Sequence, residues 1–112
     1  MLSEAEAELQ FQRGRPALQA TDASRALSAH AQKIYSEIGK TLTVPTASTG
    51  GGTDAAYAAL KTTAPVVEGF GLRGYGAHST DAEYVLISSI EPRLYLTTRM
   101  IMDIATGKAP LK

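Results

Sequence analysis

Two glycine-rich stretches hold the residues best suited to chemistry. The first is Thr49-Gly50-Gly51-Gly52-Thr53-Asp54, and the second, further along the chain, is Gly74-Tyr75-Gly76-Ala77-His78-Ser79. The first precedes a predicted helix, so its free backbone N–H groups and the helix dipole favour an anion or a polarised carbonyl oxygen. A glycine-rich surface turn is the alternative reading. In the second stretch His78 stands in a loop where glycines permit close backbone approach. As a loop residue it can serve as a hydrogen-bonding group or as a metal ligand. The pair suggests part of a hydrolytic site. Arg13 and Arg15 flank Gly14 at a predicted strand end, where a guanidinium can either clamp a carboxylate through two parallel bonds or remain solvated. His30, beside Ala29 and Ala31 in a helical pattern, reads as structural or solvent-facing. Asp54 reads as a helix cap, and Asp81 and Glu83 as loop residues. A complete catalytic zinc site needs about three protein ligands and an open position, which two distant histidines without cysteine do not supply.

The elements that must position these residues follow from periodicity. Glu4 to Gln12 alternates, with Ala5, Ala7, Leu9 and Phe11 on one side and acids and glutamines on the other, which predicts a half-buried strand. Arg13-Gly14-Arg15-Pro16 ends it. Leu27, Ala31, Ile34 and Ile38 recur every three or four residues, predicting a helix from about Asp22 to Ile38, capped by Thr21 or Asp22 and closed by Gly39. Leu42 to Val44 reads as a short strand that Pro45 confines to an edge or an end. Thr53 or Asp54 caps a helix through Leu60. Pro65 to Phe70 reads as a buried strand, Gly71 to Thr80 as a loop and Tyr84 to Ile87 as a short extended piece. The last helix starts near Ser88 or Ser89, with Glu91 completing a capping box, and ends at Gly107. Its expected buried stripe is Leu94, Tyr95, Thr98, Ile101, Met102 and Ala105. This order predicts an α/β fold with helices layered on a sheet.

Composition narrows the partners. The 112 residues are 44% hydrophobic, enough for one core, and 11 basic residues balance 11 acidic ones. With a pI near 6.7, neither nucleic acid nor an anionic membrane is an expected partner. There is no cysteine, so thiolate chemistry is excluded and the compartment, cytoplasmic or periplasmic, stays undetermined. The acidic N-terminus has no apolar stretch of the signal-peptide kind, although one could precede it in a longer chain, and no run approaches the length of a membrane span, so the chain reads as soluble. Gly69-Phe70-Gly71-Leu72-Arg73-Gly74 matches the dinucleotide fingerprint in spacing only. The residues after its last glycine do not read as a helix start, and the fingerprint depends on one.

Taken together, Arg13-Gly14-Arg15-Pro16-Ala17, Thr49-Gly50-Gly51-Gly52-Thr53-Asp54-Ala55-Ala56-Tyr57-Ala58, Gly74-Tyr75-Gly76-Ala77-His78-Ser79 and Ala82-Glu83-Tyr84-Val85 resemble the C-terminal part of the glutamate carboxypeptidases. These belong to a zinc peptidase group that also contains aminoacylases, acetylornithine deacetylases and succinyl-diaminopimelate desuccinylases. The resemblance runs from about Leu9 to Gly107 and covers about the last third of a family member. It implies that residues 1–16 carry the terminal strand of a lid or dimerisation domain and that 17–112 form the C-terminal segment of the catalytic domain. It further implies that His78 is a ligand to one of two zinc ions, that Arg15 grips a substrate carboxylate, and that Thr49 and Gly52 line the pocket for the glutamate-like end of an acylated glutamate or peptide substrate.

The same resemblance places the other metal-binding elements, a His-x-Asp, a bridging Asp and a Glu-Glu pair that supplies the general base, in an upstream catalytic segment. The 112-residue chain alone is then expected to be inactive. The alternative expectation is a non-catalytic assembly module, a homo-oligomer formed by pairing of the N-terminal strand, since an unpaired apolar strand is a template for association.

Overall fold

A computed structural model describes residues 18–45, 54–76 and 83–111. Helix α1 spans Asp22–Glu37 and begins where Thr21 turns extended. The Thr21 Oγ1 accepts the Ser24 N–H at 3.0 Å, and the Ser24 Oγ accepts the Thr21 N–H at 2.8 Å. This reciprocal pair satisfies two donors that a helix start leaves open. At the other end Gly39 has a φ of 74°, which lets the Lys40 N–H return to the Tyr35 carbonyl and the Gly39 N–H to that of Ser36. That is a Schellman closure, and glycine is the residue that adopts its left-handed position without strain.

Helix α2, Asp54–Ala59, is a short helix that buries Ala56. Strands β1, Gly74–Tyr75, and β2, Tyr84–Val85, form an antiparallel pair in the register Gly74↔Val85 and Tyr75↔Tyr84. A 3-10 turn over Ile87–Ser89 leads directly into α3, Ile90–Ala105. Gly107 closes α3 as Gly39 closes α1, with the Lys108 N–H on the Asp103 carbonyl at 2.7 Å. The mixture of helices with a small two-stranded sheet is compatible with the expected α/β class. No helix among the described residues is long and apolar enough to cross a membrane.

The core lies between α1 and α3. Leu27, Ala31, Ile34 and Tyr35 meet Leu96 and Met100, with Ala109 beyond the end of α3 and Ile38, Leu42, Val67, Phe70 and Tyr95 packed around them. Ile34 and Leu96 are fully enclosed, each contributing about 1.5–3 kcal/mol by leaving water. The α1 periodicity thus appears in the structure as read from the sequence.

The face of α3 differs from the expected stripe. Its buried residues are Leu96, Met100 and Asp103, whereas Leu94, Ile101 and Met102 are 65%, 63% and 54% exposed and Thr98 and Ala105 are exposed as well. Tyr95 alone of the expected set packs on the core. The physical reason is that α3 is apolar on two sides, and polar pairing decides which side α1 covers. Asp103 and Arg99 find His30 and Glu37 on α1, and that fixes the rotation of α3 about its axis.

Other differences concern capping and strands. No side chain caps the start of α3. The expected strands at Leu42–Val44 and Pro65–Phe70 are runs without helix, turn or bend, and neither joins a ladder among the described residues. A strand is defined by its partner, and none is present for them there. Conversely, β1 falls within the stretch expected to be loop. The expected strand at Glu4 to Gln12 lies outside the described residues.

Candidate functional site

Arg15, Thr49, Gly52 and His78 lie outside the described residues, as does Asp81. What the structure describes is the frame on either side of them. Residues 49–53 precede in sequence helix α2, whose first residue is Asp54. His78 stands in sequence between β1 and β2, whose pairing forms a backbone clamp. Glu83, exposed, immediately precedes β2.

The clamp has three parts. An added Cβ on Gly74 would lie 2.5 Å from the Tyr84 carbonyl oxygen, so the two backbones approach at a distance that only glycine allows. The Leu86 N–H donates to the Arg73 carbonyl at 2.7 Å, and the Tyr75 and Tyr84 rings lie 5.4 Å apart, within the range of favourable aromatic pairs. Ser89, buried, joins this hairpin to α3. Its Oγ donates to the Leu86 carbonyl at 2.6 Å and accepts the Arg73 N–H at 3.0 Å. The residue expected to cap α3 therefore holds the hairpin instead. Gly74 within β1 also means that no helix follows the last glycine of the GxGxxG match, so the pyrophosphate-binding geometry of that fingerprint is not formed.

Beside the hairpin base is a cavity of about 300 Å³ whose walls include Lys40, Thr41, Thr43, Arg73, Ser88 and Arg93. Three cations and several hydroxyls, with no acidic side chain among the described lining residues, make it a polar site of positive sign. Arg93 is braced, with Nη1 on the Gly69 carbonyl at 2.9 Å and its guanidinium 5.5 Å from the centre of the Tyr35 ring. The Nε of Arg93 is buried without an acceptor.

Sequence reasoning missed a connected polar group that joins α1 to α3 among the described residues. His30 Nε2 lies 2.7 Å from Asp103 Oδ2, and an ionised carboxylate can only accept, so Nε2 carries the proton. Arg99 Nη1 reaches Glu37 Oε1 at 2.6 Å and the Tyr95 hydroxyl at 2.7 Å. The hydrogen bond from His30 holds the Asp103 carboxyl below the usual range against the opposing effect of burial, with the charges of Arg99, His30 and Lys108 assisting. Glu37 is likewise held low, chiefly by its bond from Arg99. The arrangement locks α1 to α3. The sequence signal was an aspartate recurring with Leu96 and Met100 on one helical face. Among the described residues no group of three or more His, Asp or Glu side chains could hold a metal ion.

The sequence profile of the peptidase family M20/M25/M40 matches residues 4–103. The chain belongs to that family. Among curated relatives, Carboxypeptidase G2 of Pseudomonas sp. (strain RS-16) is 50% identical over 107 residues, which is 96% of this chain and 25% of its own length. This M20 chain thus spans about a quarter of the length of the relative it matches, rather than the last third expected from its motifs. The family match reaches back to residue 4, past the Leu9 at which the resemblance was expected to begin.

Proposed function

We propose that this chain forms the C-terminal part of the catalytic domain of a zinc-dependent metallocarboxypeptidase that releases a C-terminal glutamate, or a similar acidic residue, by amide hydrolysis. The observation that carries this reading is 50% identity to Carboxypeptidase G2 across 96% of the chain. In this reading residues 1–16 close the lid or dimerisation domain and 17–112 return to the catalytic domain. The Arg15 guanidinium grips the substrate carboxylate through paired N–H donors. Thr49 and Gly52 line the pocket of the acidic side chain, and the hairpin clamp orients the loop that presents the His78 imidazole as one ligand to zinc.

On this reading His78 is one contribution among ligands that an upstream segment supplies. Zinc, when bound, activates water and polarises the scissile carbonyl. The chain's own part is to bind and orient the substrate. By itself it is inactive.

The test is hydrolysis of acylglutamates by the isolated chain with added zinc, and again after co-expression with the amino-terminal three quarters of Carboxypeptidase G2. We expect no turnover in the first case and recovered activity in the second. In the reconstituted enzyme Arg15→Ala should raise KM about 10- to 100-fold, the loss of charged hydrogen bonds worth about 1.5–3 kcal/mol. Robust turnover by the isolated chain defeats the proposal. A second reading, assembly without catalysis, draws on the exposed apolar side of α3; a strict monomer at high concentration in sedimentation argues against it.

A further inference from the structure

We infer that the cavity walled by Lys40, Arg73 and Arg93 binds a small, free divalent oxyanion of the phosphate or sulfate class. The inference goes beyond the proposed function and uses none of the site residues named there.

Three elements bring the cations together, each by backbone anchoring. Lys40 follows the glycine closure of α1, where its N–H returns to the Tyr35 carbonyl at 3.1 Å. Arg73 precedes β1, with its N–H on the Ser89 Oγ at 3.0 Å and its carbonyl accepting the Leu86 N–H. Arg93 stands near the start of α3, its guanidinium over the Tyr35 ring and Nη1 on the Gly69 carbonyl. Like charges gathered on a cavity of about 300 Å³ repel one another. Among the described residues none of the three meets a carboxylate.

Solvation suffices for Lys40 and Arg73, whose residues are exposed. Arg93 differs. It is half-buried, its Nε is enclosed without an acceptor, and its one hydrogen bond goes to a neutral carbonyl. Its charge therefore lacks a counter-charge where water compensates it incompletely. The rest of the wall suits an anion with several acceptor oxygens. Thr41, Thr43 and Ser88 bring hydroxyl donors, and the start of α3 has no side-chain cap, so its first N–H groups add positive potential. A lysine offers such an ion a point charge and an arginine a fork for two oxygens. Two negative charges offset most of the three positive ones, which a monovalent carboxylate would not. The cavity lies at the small end of ligand pockets, which favours a compact ion.

Calorimetric titration of this chain with inorganic phosphate, at ionic strength held constant with chloride, tests the site. Saturable binding of one ion per chain is expected, with acetate at least about tenfold weaker. Lys40→Ala and Arg73→Gln lie outside the core and should leave the circular dichroism unchanged. Each should weaken phosphate binding about tenfold or more, the loss of one charged hydrogen bond. Lys61→Ala, at an exposed lysine outside the cavity, should change nothing. Shifts of the Thr41, Arg73 and Ser88 amide resonances on titration locate the ion without any substitution. Binding that does not saturate, equal binding of acetate, or an equal loss in Lys61→Ala overturns the inference. The ion should also bind the complex with the amino-terminal three quarters of Carboxypeptidase G2. Loss of binding there means that the larger protein fills the cavity itself, which overturns the inference. Displacement of phosphate by an acylglutamate assigns the cavity to substrate; that also overturns it and leaves the proposed function standing. Absence of a complex defeats the proposed function and leaves this inference to the titrations of the chain itself.

Discussion

Asp103 illustrates how one polar residue can orient an entire helix. Its Oδ2 faces His30 at 2.7 Å and the Arg99 Nη2 at 3.7 Å from a largely enclosed position, and a carboxylate there must be paired to be tolerated. Because His30, Arg99 and Lys108 depress its proton affinity in the folded chain, the unfolded chain binds the proton more readily. Stability from this group is complete above the ordinary Asp range and is lost as pH falls through the depressed folded value. Glu37 acts in the same direction. Thermal unfolding of the wild-type chain should therefore weaken progressively below about pH 5. Asp103→Asn should lower the melting temperature at neutral pH and flatten that acid limb. An unchanged acid limb in the variant would show that other carboxylates dominate.

Among the elements, the hairpin and α3 act as one unit through Ser89. Its hydroxyl serves the Leu86 carbonyl and the Arg73 N–H together, and Ser89→Ala leaves both without that partner in a buried place. The expected cost is about 1–3 kcal/mol, read by denaturant unfolding, with faster exchange of the Arg73 amide as the local signature. Gly74→Ala should loosen the same hairpin by a different route, because its new Cβ meets the Tyr84 carbonyl. The sequence made α1 legible through both its cap and its apolar spacing, since local signals and packing agree there. The rotation of α3 was not legible, because its apolar residues offer two faces and the choice depends on His30, 73 positions away in the chain. The edge-to-edge pairing of Gly74–Tyr75 with Tyr84–Val85 was hidden for a related reason: two-residue strands carry no periodicity. The Leu42–Val44 and Pro65–Phe70 runs have strand-like sequences, but ladder formation needs a partner that these residues do not supply to one another. The glycine-spaced motifs of the expected site were readable, while the clamp between β1 and β2 required knowledge of which backbone meets Gly74.

At the scale of the whole molecule, the described residues leave much apolar surface exposed. Eight hydrophobic residues are buried among the described ones, while thirteen large hydrophobics are exposed. On α3 the exposed set includes Ile90, Leu94 and Ile101, which recur at helical spacing on a face distinct from the Leu96 and Met100 side. A helix apolar on more than one face belongs in the interior of a larger body, and a segment equal to 25% of its relative's length is consistent with that. The face is therefore expected to matter for assembly and not for the fold of the segment itself. Leu94→Lys with Ile101→Lys should shift the unfolding free energy of the isolated chain by no more than about 0.5 kcal/mol, as surface substitutions do. The same double variant should raise the concentration at which the isolated chain stays monomeric in sedimentation. It should also reduce its recovery in a complex with the amino-terminal part of Carboxypeptidase G2. Strong destabilisation of the isolated chain would instead place these residues in its own core, and unimpaired complex formation would mean that the face is covered by nothing in the larger protein.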